Sequence, residues 1–548
     1  MQKKALSVVL LLLLPALLLA DWPQWGGDAA RSKTPQASKL PDSWEIGRFD
    51  RKTGEWDKEN AENVAWVSRL GSVTYGTPVI VGGTVLCATN AGAGYRKEAF
   101  PPKEEEPIDL GCLLAFNKED GKFLWQLSVE KHPDGAVIDW PDQGICCSPL
   151  VVGQGASAIG YVVTNRGEVV AFDLDGFYDG KNDGVQDEND VAKQGADVLW
   201  RYDFAKELGV RPHNMASCSV TATKDLLFVV TGNGRDDSLS TTDKYANLAA
   251  PSFIALDIKT GKLVWQDASP GKNLVHGQWG SPAIAEVDGK KQVIFPGGDG
   301  WLYAFDAEKP APGVSKPTLL WKFDCNLKAF TWKPGGAGGK KNNLVATPVV
   351  VGGLVYITTG QDPENGEGPA ILWCIDPSKR GDVSSELLLN ADGSVAPPTR
   401  LGGIGEGQKV TPNKNSAVVW SYDGLPGKEV DDRDFEETLH RTIGMVAIAE
   451  GLLILTDTSG LVHCLDAKTG KIHWTHDTMS SFWGTPAIAE GKIFLANTDG
   501  EVLVLALSKE KKELATNEVG SAVYSSPVLD GQRIYLATRT HLIAIEEE

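Results

Sequence analysis

Two adjacent cysteines, Cys146 and Cys147, stand in "GICCSPLVV", and Cys218 follows in "ASCSVTA". Neighbouring thiols can do redox chemistry, hold a soft metal or close a structural disulfide. They are also ordinary small residues for a narrow interior. His213 in "RPHNMASC" and His276 in "LVHGQWGS" lie in matching contexts. They could share a metal or an anion, although two imidazoles do not make a site by themselves. Trp279 and Arg441 add an aromatic ring and a cation to the same set. The stretch "DGFYDGKNDGVQDEND" is dense in Asp, with Gly at turn points, as calcium loops are. Against such a loop Asp179 takes the first place, Asp183 the fifth and Asp190 the last, while Lys181 spoils the third. A solvated acidic loop is the competing reading. No Ser-His-Asp or paired-carboxylate pattern stands out for hydrolysis.

The elements that must position these residues repeat. "LDAKTGKIHW" (465–474) returns as "LDIKTGKLVW" (256–265) and "FNKEDGKFLW" (116–125). Each spells an apolar strand, a turn of Asp and Gly, and a second strand ending in Trp, a hairpin signature. Upstream of each lies another pair of strand-like runs, so the unit is four antiparallel strands. Its first strand tends to open with a small residue and Pro, as in "YGTPVIV", "WGSPAIA", "WGTPAIA" and "YSSPVLD", and eight such openings can be followed. The Trp recurs at 125, 200, 265, 321, 420 and 474, with Leu514 in its place in the seventh unit. The eighth unit lacks its last strand, while "NVAWVSRL" (63–70), with Trp66, is spare at the front. The pattern predicts an all-β chain: an eight-bladed β-propeller of four-stranded antiparallel blades over 63–548, closed by an N-terminal strand. Two stacked sandwiches would not explain the truncated last unit. The repeated Trp is expected to pack between neighbouring blades. His213, Asn214, His276, Trp279, His440 and Arg441 then fall near the starts of inner strands, as do Trp483 and Tyr524. Loops from every blade converge there.

The chain has 548 residues, 42% of them hydrophobic, and a net charge of −19. That charge argues against nucleic acid or an anionic membrane surface as the main partner. Residues 1–20 read as a signal peptide: Lys3 and Lys4, an apolar run interrupted by Pro15, and Ala20 before Asp21. An extension over 21–62 and an acidic insertion over 175–195 flank or interrupt the repeats. No later segment is apolar enough to span a bilayer. An exported, periplasmic or secreted monomer without a membrane anchor is expected.

The repeat resembles the quinoprotein propeller superfamily, whose tryptophan-docking motif reads roughly A-x-D-x-x-T-G-x-x-x-W. "LDAKTGKIHW" and "LDIKTGKLVW" carry the likeness, which covers about residues 63–548. From "DWPQWGG" to "IFPGGDGWLYAFD" the chain is most similar to exported PQQ-like propellers of planctomycete-type bacteria. The superfamily holds PQQ-dependent alcohol dehydrogenases and also non-enzymatic BamB-type assembly proteins, so fold alone does not give activity. For the dehydrogenases the resemblance implies PQQ and Ca²⁺ at the channel mouth, a Glu and an Asn near the metal, an Asp base and a vicinal disulfide. Asn233 in "VVTGNG" matches the Asn, with an Asn-Gly turn as the alternative. Cys146 and Cys147 match the disulfide pair, but the Asn-Arg that should follow closely comes only at 165–166. Where the base should follow a Trp, the sequence reads Trp279-Gly280. Glu168 falls inside a predicted strand. The catalytic set is incomplete. The expectation is a non-catalytic, BamB-like scaffold that binds a ligand or partner protein at the channel rim, with Cys146, Cys147, Asn233, His213, His276, Trp279 and Arg441 as its contacts. The alternative is a diverged PQQ-dependent oxidoreductase that keeps PQQ and calcium.

Overall fold

The computed structural model describes residues 21–50, 52–99, 109–135, 137–184, 192–236, 246–333, 338–428 and 430–547. The repeated decapeptide folds as its residue types require. Leu461–Asp466 pairs antiparallel with Ile472–Asp477. Between them the Asp466 carboxylate accepts hydrogen bonds from the Thr469 amide (2.9 Å) and hydroxyl (2.8 Å). Gly470 takes the left-handed conformation that ends the turn, at φ +70°. Leu452–Thr456 and Ala447–Ala449 complete this sheet. Ala449 is followed by Glu450 and Gly451 at φ +52° and +78°. That is the mirror-image two-residue turn whose twist suits a hairpin.

Eight sheets of this kind form the predicted eight-bladed propeller. From blade 1 to blade 8 the innermost strands are Val79–Val81, Leu150–Val152, Thr221–Ala222, Ala283–Val287, Val349–Val351, Ala447–Ala449, Ala487–Ala489 and Val528–Asp530. The eighth blade is completed by Val64–Arg69, which pairs antiparallel with His541–Glu546. The ring is thus closed by the front of the chain.

The tryptophans bridge neighbours. Trp66, Trp125 and Trp474 donate their indole N–H to Lys118 O, Leu174 O and Ser508 O, each at 3.0 Å and each in the turn of the next blade. Glycines in those turns make room. A Cβ added at Gly121, Gly261 or Gly470 would come within 2.5 Å of Trp66, Trp200 or Trp420 respectively. Burying a large apolar side chain stabilises by about 1.5–3 kcal/mol, and the contact recurs around the ring.

A second repeat runs around the axis. Six inner strands begin with Ser or Thr followed by Pro. Proline donates no hydrogen bond, and an edge strand tolerates that. The residue before it turns its amide sideways, to the hydroxyl of the next blade. Ser148 N reaches Ser219 Oγ (3.0 Å), Ser219 N reaches Ser281 Oγ (2.9 Å) and Ser281 N reaches Thr347 Oγ1 (3.0 Å). On the far side Met445 N, Thr485 N and Ser526 N reach Thr485, Ser526 and Thr77 in the same way. The result is a girdle of hydroxyls at the centre.

Residues 21–46 form a strap across one end of this girdle. Trp22 pairs with Ile80 of blade 1, and Pro23 O accepts from Val151 of blade 2. Ala29 O and Ala30 O accept from Ile284 and Val350 of blades 4 and 5. Leu40 N bonds to Glu490 of blade 7, and Ser38 N to Gly531 O of blade 8. Arg31 is the centrepiece. It is 3% exposed, and its guanidinium donates to the carbonyls of Trp25, Ser219, Val220 and Pro282. Burial pulls its pKa down to about 10, so the cation persists at neutral pH.

Two additions depart from the plain repeat. Gly381–Asp382 joins blade 4 as a parallel fifth strand beside Leu319–Asp324. Glu386–Leu389 pairs with Lys409–Pro412 as an extra hairpin in blade 5. The stretch 405–416, which supplies this hairpin's second strand, is rich in charged and amide residues and carries no apolar alternation that marks a strand.

Gly470 and Gly491 share φ +70°, but only Gly470 has an indole over it. Gly470→Ala should therefore cost about 1–3 kcal/mol more than Gly491→Ala, overpacking being added to backbone strain. Urea unfolding midpoints of the two variants test this; equal losses would mean the Trp420 contact is soft.

Candidate functional site

Above the girdle lies a cavity of about 460 Å³. Trp25 of the strap forms its floor, and the indole N–H reaches Ser526 Oγ at 3.3 Å. Thr77, Ser148, Ser219, Ser281 and Ser526 of the girdle line it next. Higher up stand Tyr75, Trp140, Trp279, Trp483 and Tyr524. Tyr75, Trp483 and Tyr524 form one aromatic wall, with ring centroids 4.9–5.6 Å apart. Trp279 stands elsewhere on the wall. His213 O accepts its N–H at 3.1 Å, and the His276 ring meets it edge-on at 5.2 Å. Gly277 backs it so closely that a Cβ there would lie 2.3 Å from the ring.

Trp140 is half exposed at the mouth. Its loop is held from below by Asp139, which is buried. That carboxylate meets Lys131 Nζ at 2.6 Å, Asn165 Nδ2 at 2.6 Å and His132 N at 2.8 Å. Asn165, which the sequence placed far from the cysteine pair, is thereby brought under the same rim.

The structure divides the sequence candidates. Trp279 and Cys146 line the cavity. Cys147, the next residue, turns into the core and donates to Val163 O at 3.1 Å. All eight cysteines are separate thiols. Burial pushes the Cys146 thiol up to about 12. His213 and His276 do meet, at 4.4 Å between ring centroids, but both are buried behind Trp279. Asn233 is fully buried; it accepts from Arg211 N and donates to Asn247 O, each at 3.0 Å. Arg441 is also buried and ties Asn342, Asn365, Gly366 and Gly339 together. Neither lines the cavity; both hold framework contacts. Of the acidic loop, Asp183 N bonds to Asp197, the Asp179 side chain is not described, and Asp190 lies outside the described residues.

Trp25, Trp140 and Asp362 carry no signal in the sequence. Trp25 belongs to the strap, outside every repeat, and Trp140 to a loop before blade 2. Asp362, in a loop of blade 5, is the single carboxylate among the described lining residues, and His276 Nε2 lies 3.4 Å from its Oδ2. Its place in the chain offers no periodic cue.

A family described as outer membrane protein assembly factor BamB matches residues 187–310 and 413–548. These two stretches, just under half of the chain, resemble that family's PQQ-like propeller repeats. Quinoprotein alcohol dehydrogenase PedH of Pseudomonas putida is 24% identical over 412 residues, covering 68% of this chain and 64% of that protein. The dehydrogenase subunit of alcohol dehydrogenase (quinone) from Gluconobacter oxydans is 26% identical over 248 residues, covering 40% of this chain and 29% of its own. The chain thus spans less than two thirds of the length of these curated relatives. Among solved structures, BamB from Moraxella catarrhalis aligns over 87% of this chain and 98% of its own, at 15% identity and a TM-score of 0.48.

PQQ and calcium are possible for PQQ-like repeat proteins, so their fit here can be tested residue by residue. The aromatic walls suit a planar ring system. The polar groups do not suit a tricarboxylate, because no Lys or Arg lines the cavity among the described residues. Calcium takes about six to eight oxygen ligands, usually several of them carboxylate. The lining offers Asp362 alone, and no cluster of three or more metal-ligating side chains occurs among the described residues. The position after Trp279 also has no space. A Cβ at Gly280 would meet Pro296 at 2.7 Å and two carbonyl oxygens at 3.0 Å.

In the folded protein Cys146 should be the one thiol that iodoacetamide reaches, the other seven being buried. Its raised pKa makes the rate climb about tenfold per pH unit from pH 7 to 10, because the thiolate is the nucleophile. Peptide mass spectrometry reads both. No labelling until a reductant is added would mean a Cys146–Cys147 disulfide.

Proposed function

We propose that this chain is an exported, non-catalytic propeller that binds a ligand or partner protein through the cavity face. The observation that carries this is the steric closure of position 280. The carboxylate expected of a dehydrogenase after Trp279 is absent and could not be restored without moving Pro296 and the backbone of blade 5. A lining without a cation among the described residues supports the same reading. Export rests on the basic-then-apolar segment at 1–20; among the described residues no helix is long and apolar enough to cross a membrane. The tryptophans act as docking groups between blades, which keeps the rim rigid.

A diverged PQQ-dependent oxidoreductase is the second reading. The quinoprotein relatives favour it, and so does the Asp362–His276 pair. The Asp362 carboxylate at the cavity wall, backed by the buried His276 imidazole, could take a proton from an alcohol. When bound, PQQ would supply the electron acceptor.

Titration of the purified mature protein with PQQ plus Ca²⁺ separates the two. Tryptophan fluorescence reads binding, and an artificial electron acceptor reads turnover with simple alcohols. The binding reading expects neither saturable quenching nor turnover. Turnover that Asp362→Asn abolishes would establish the oxidoreductase.

A further inference from the structure

We propose that the aromatic cavity binds a short, uncharged saccharide, stacked on Trp140 and Trp279 with its oxygens over the hydroxyl floor. The inference rests on the binding reading above and names the chemistry of its ligand.

Charge decides first. Among the described lining residues there is no cation to hold an acidic ligand. The one carboxylate, Asp362, already faces His276. An ionic ligand would leave water for a cavity that offers little counter-charge, and that desolvation is costly. A neutral ligand meets no such cost.

Hydrogen bonding decides next. Thr77 Oγ1, Ser219 Oγ and Ser526 Oγ each accept a backbone N–H from the girdle. A hydroxyl carries one hydrogen of its own besides its acceptor sites. With an acceptor site used, each of these can turn that hydrogen upward. The floor therefore presents a cluster of O–H donors at a spacing set by the blade repeat. Asn214 and Gln143 add amides at the wall. Donors of this kind suit ether and hydroxyl oxygens. They do not suit a quaternary ammonium, the other class of ligand that aromatic linings hold.

Shape decides last. Trp279 has its N–H occupied and Gly277 pressed against its ring, so it cannot swing. Trp140 stands half exposed at the mouth on a loop anchored by Asp139. Such rings offer flat apolar area with little ordering cost. A sugar ring has a matching C–H face and a polar edge. The volume of about 460 Å³ falls within the usual range of small-molecule sites, about 300–1,000 Å³.

The test is isothermal titration of the full mature chain with cellobiose, maltotriose, xylotriose and N,N′-diacetylchitobiose, beside trigalacturonate, choline, and PQQ with Ca²⁺. At least one neutral sugar should bind saturably. Trp140→Ala and Trp279→Ala should each weaken it at least about tenfold, a loss typical of a stacking anchor. Leu514→Ala, on the outer strand of blade 7, should leave it unchanged. Trp140 is exposed enough that its truncation should spare the thermal midpoint, so lost binding there cannot be lost folding. Binding of choline or trigalacturonate with no neutral sugar would overturn the proposal, as would sugar binding indifferent to both tryptophans. If PQQ with Ca²⁺ binds, the non-catalytic reading falls with it. If no small probe binds, the saccharide falls while a protein partner at the same face stands.

Discussion

An eight-bladed ring has a problem at its centre: every blade turns an edge strand toward the axis. Edge amides and carbonyls need partners, and here the girdle and the strap supply them. Serine and threonine hydroxyls take amides from the neighbouring blade. The strap gives backbone pairing where the inner strands have none, and Arg31 gathers four carbonyls that would otherwise face each other across a narrow hole. The cavity above exists because the hole is plugged below.

The same arrangement sets the electrostatics of the site. The Arg31 cation of the strap lies beneath the floor and is consumed by carbonyls. Arg441 is likewise spent on framework contacts. What reaches the cavity is mostly aromatic carbon, hydroxyl and amide, with the Asp362 carboxylate and the Cys146 thiol beside them and no cation among the described lining residues. The proposed ligand would be read by shape and oxygen spacing rather than by charge, although the chain as a whole carries −19.

Much of the fold could be read from the chain because its physical causes recur. The Asp-Thr-Gly turn, the glycine under an indole and the Ser-Pro or Thr-Pro opening, present in six blades, answer the same need from blade to blade, so the sequence spells them repeatedly. The missing strand of the last unit likewise pointed to Trp66. The site was legible only where it fell on that periodic frame, as Trp279, Trp483 and Tyr524 do. Asn233 and Arg441 have the chemistry of ligand contacts, but residue type cannot tell a framework hydrogen bond from a free one. The strap escaped notice because it binds mainly through backbone atoms, which any sequence possesses. Asp362 escaped because it sits in a loop that occurs once.

The strap and the closing strand Val64–Arg69 lie at the front of the chain, yet they settle on blades 7 and 8 at its end. Their docking cannot finish until the last two blades, from Ala487 onward, are available, a long-range closure of the kind that slows folding. Until then blade 8 has an open outer edge and the axis has no plug. A chain released unfinished would therefore expose its most adhesive surfaces at both places at once, which makes the final step of folding also the step that ends the risk of aggregation.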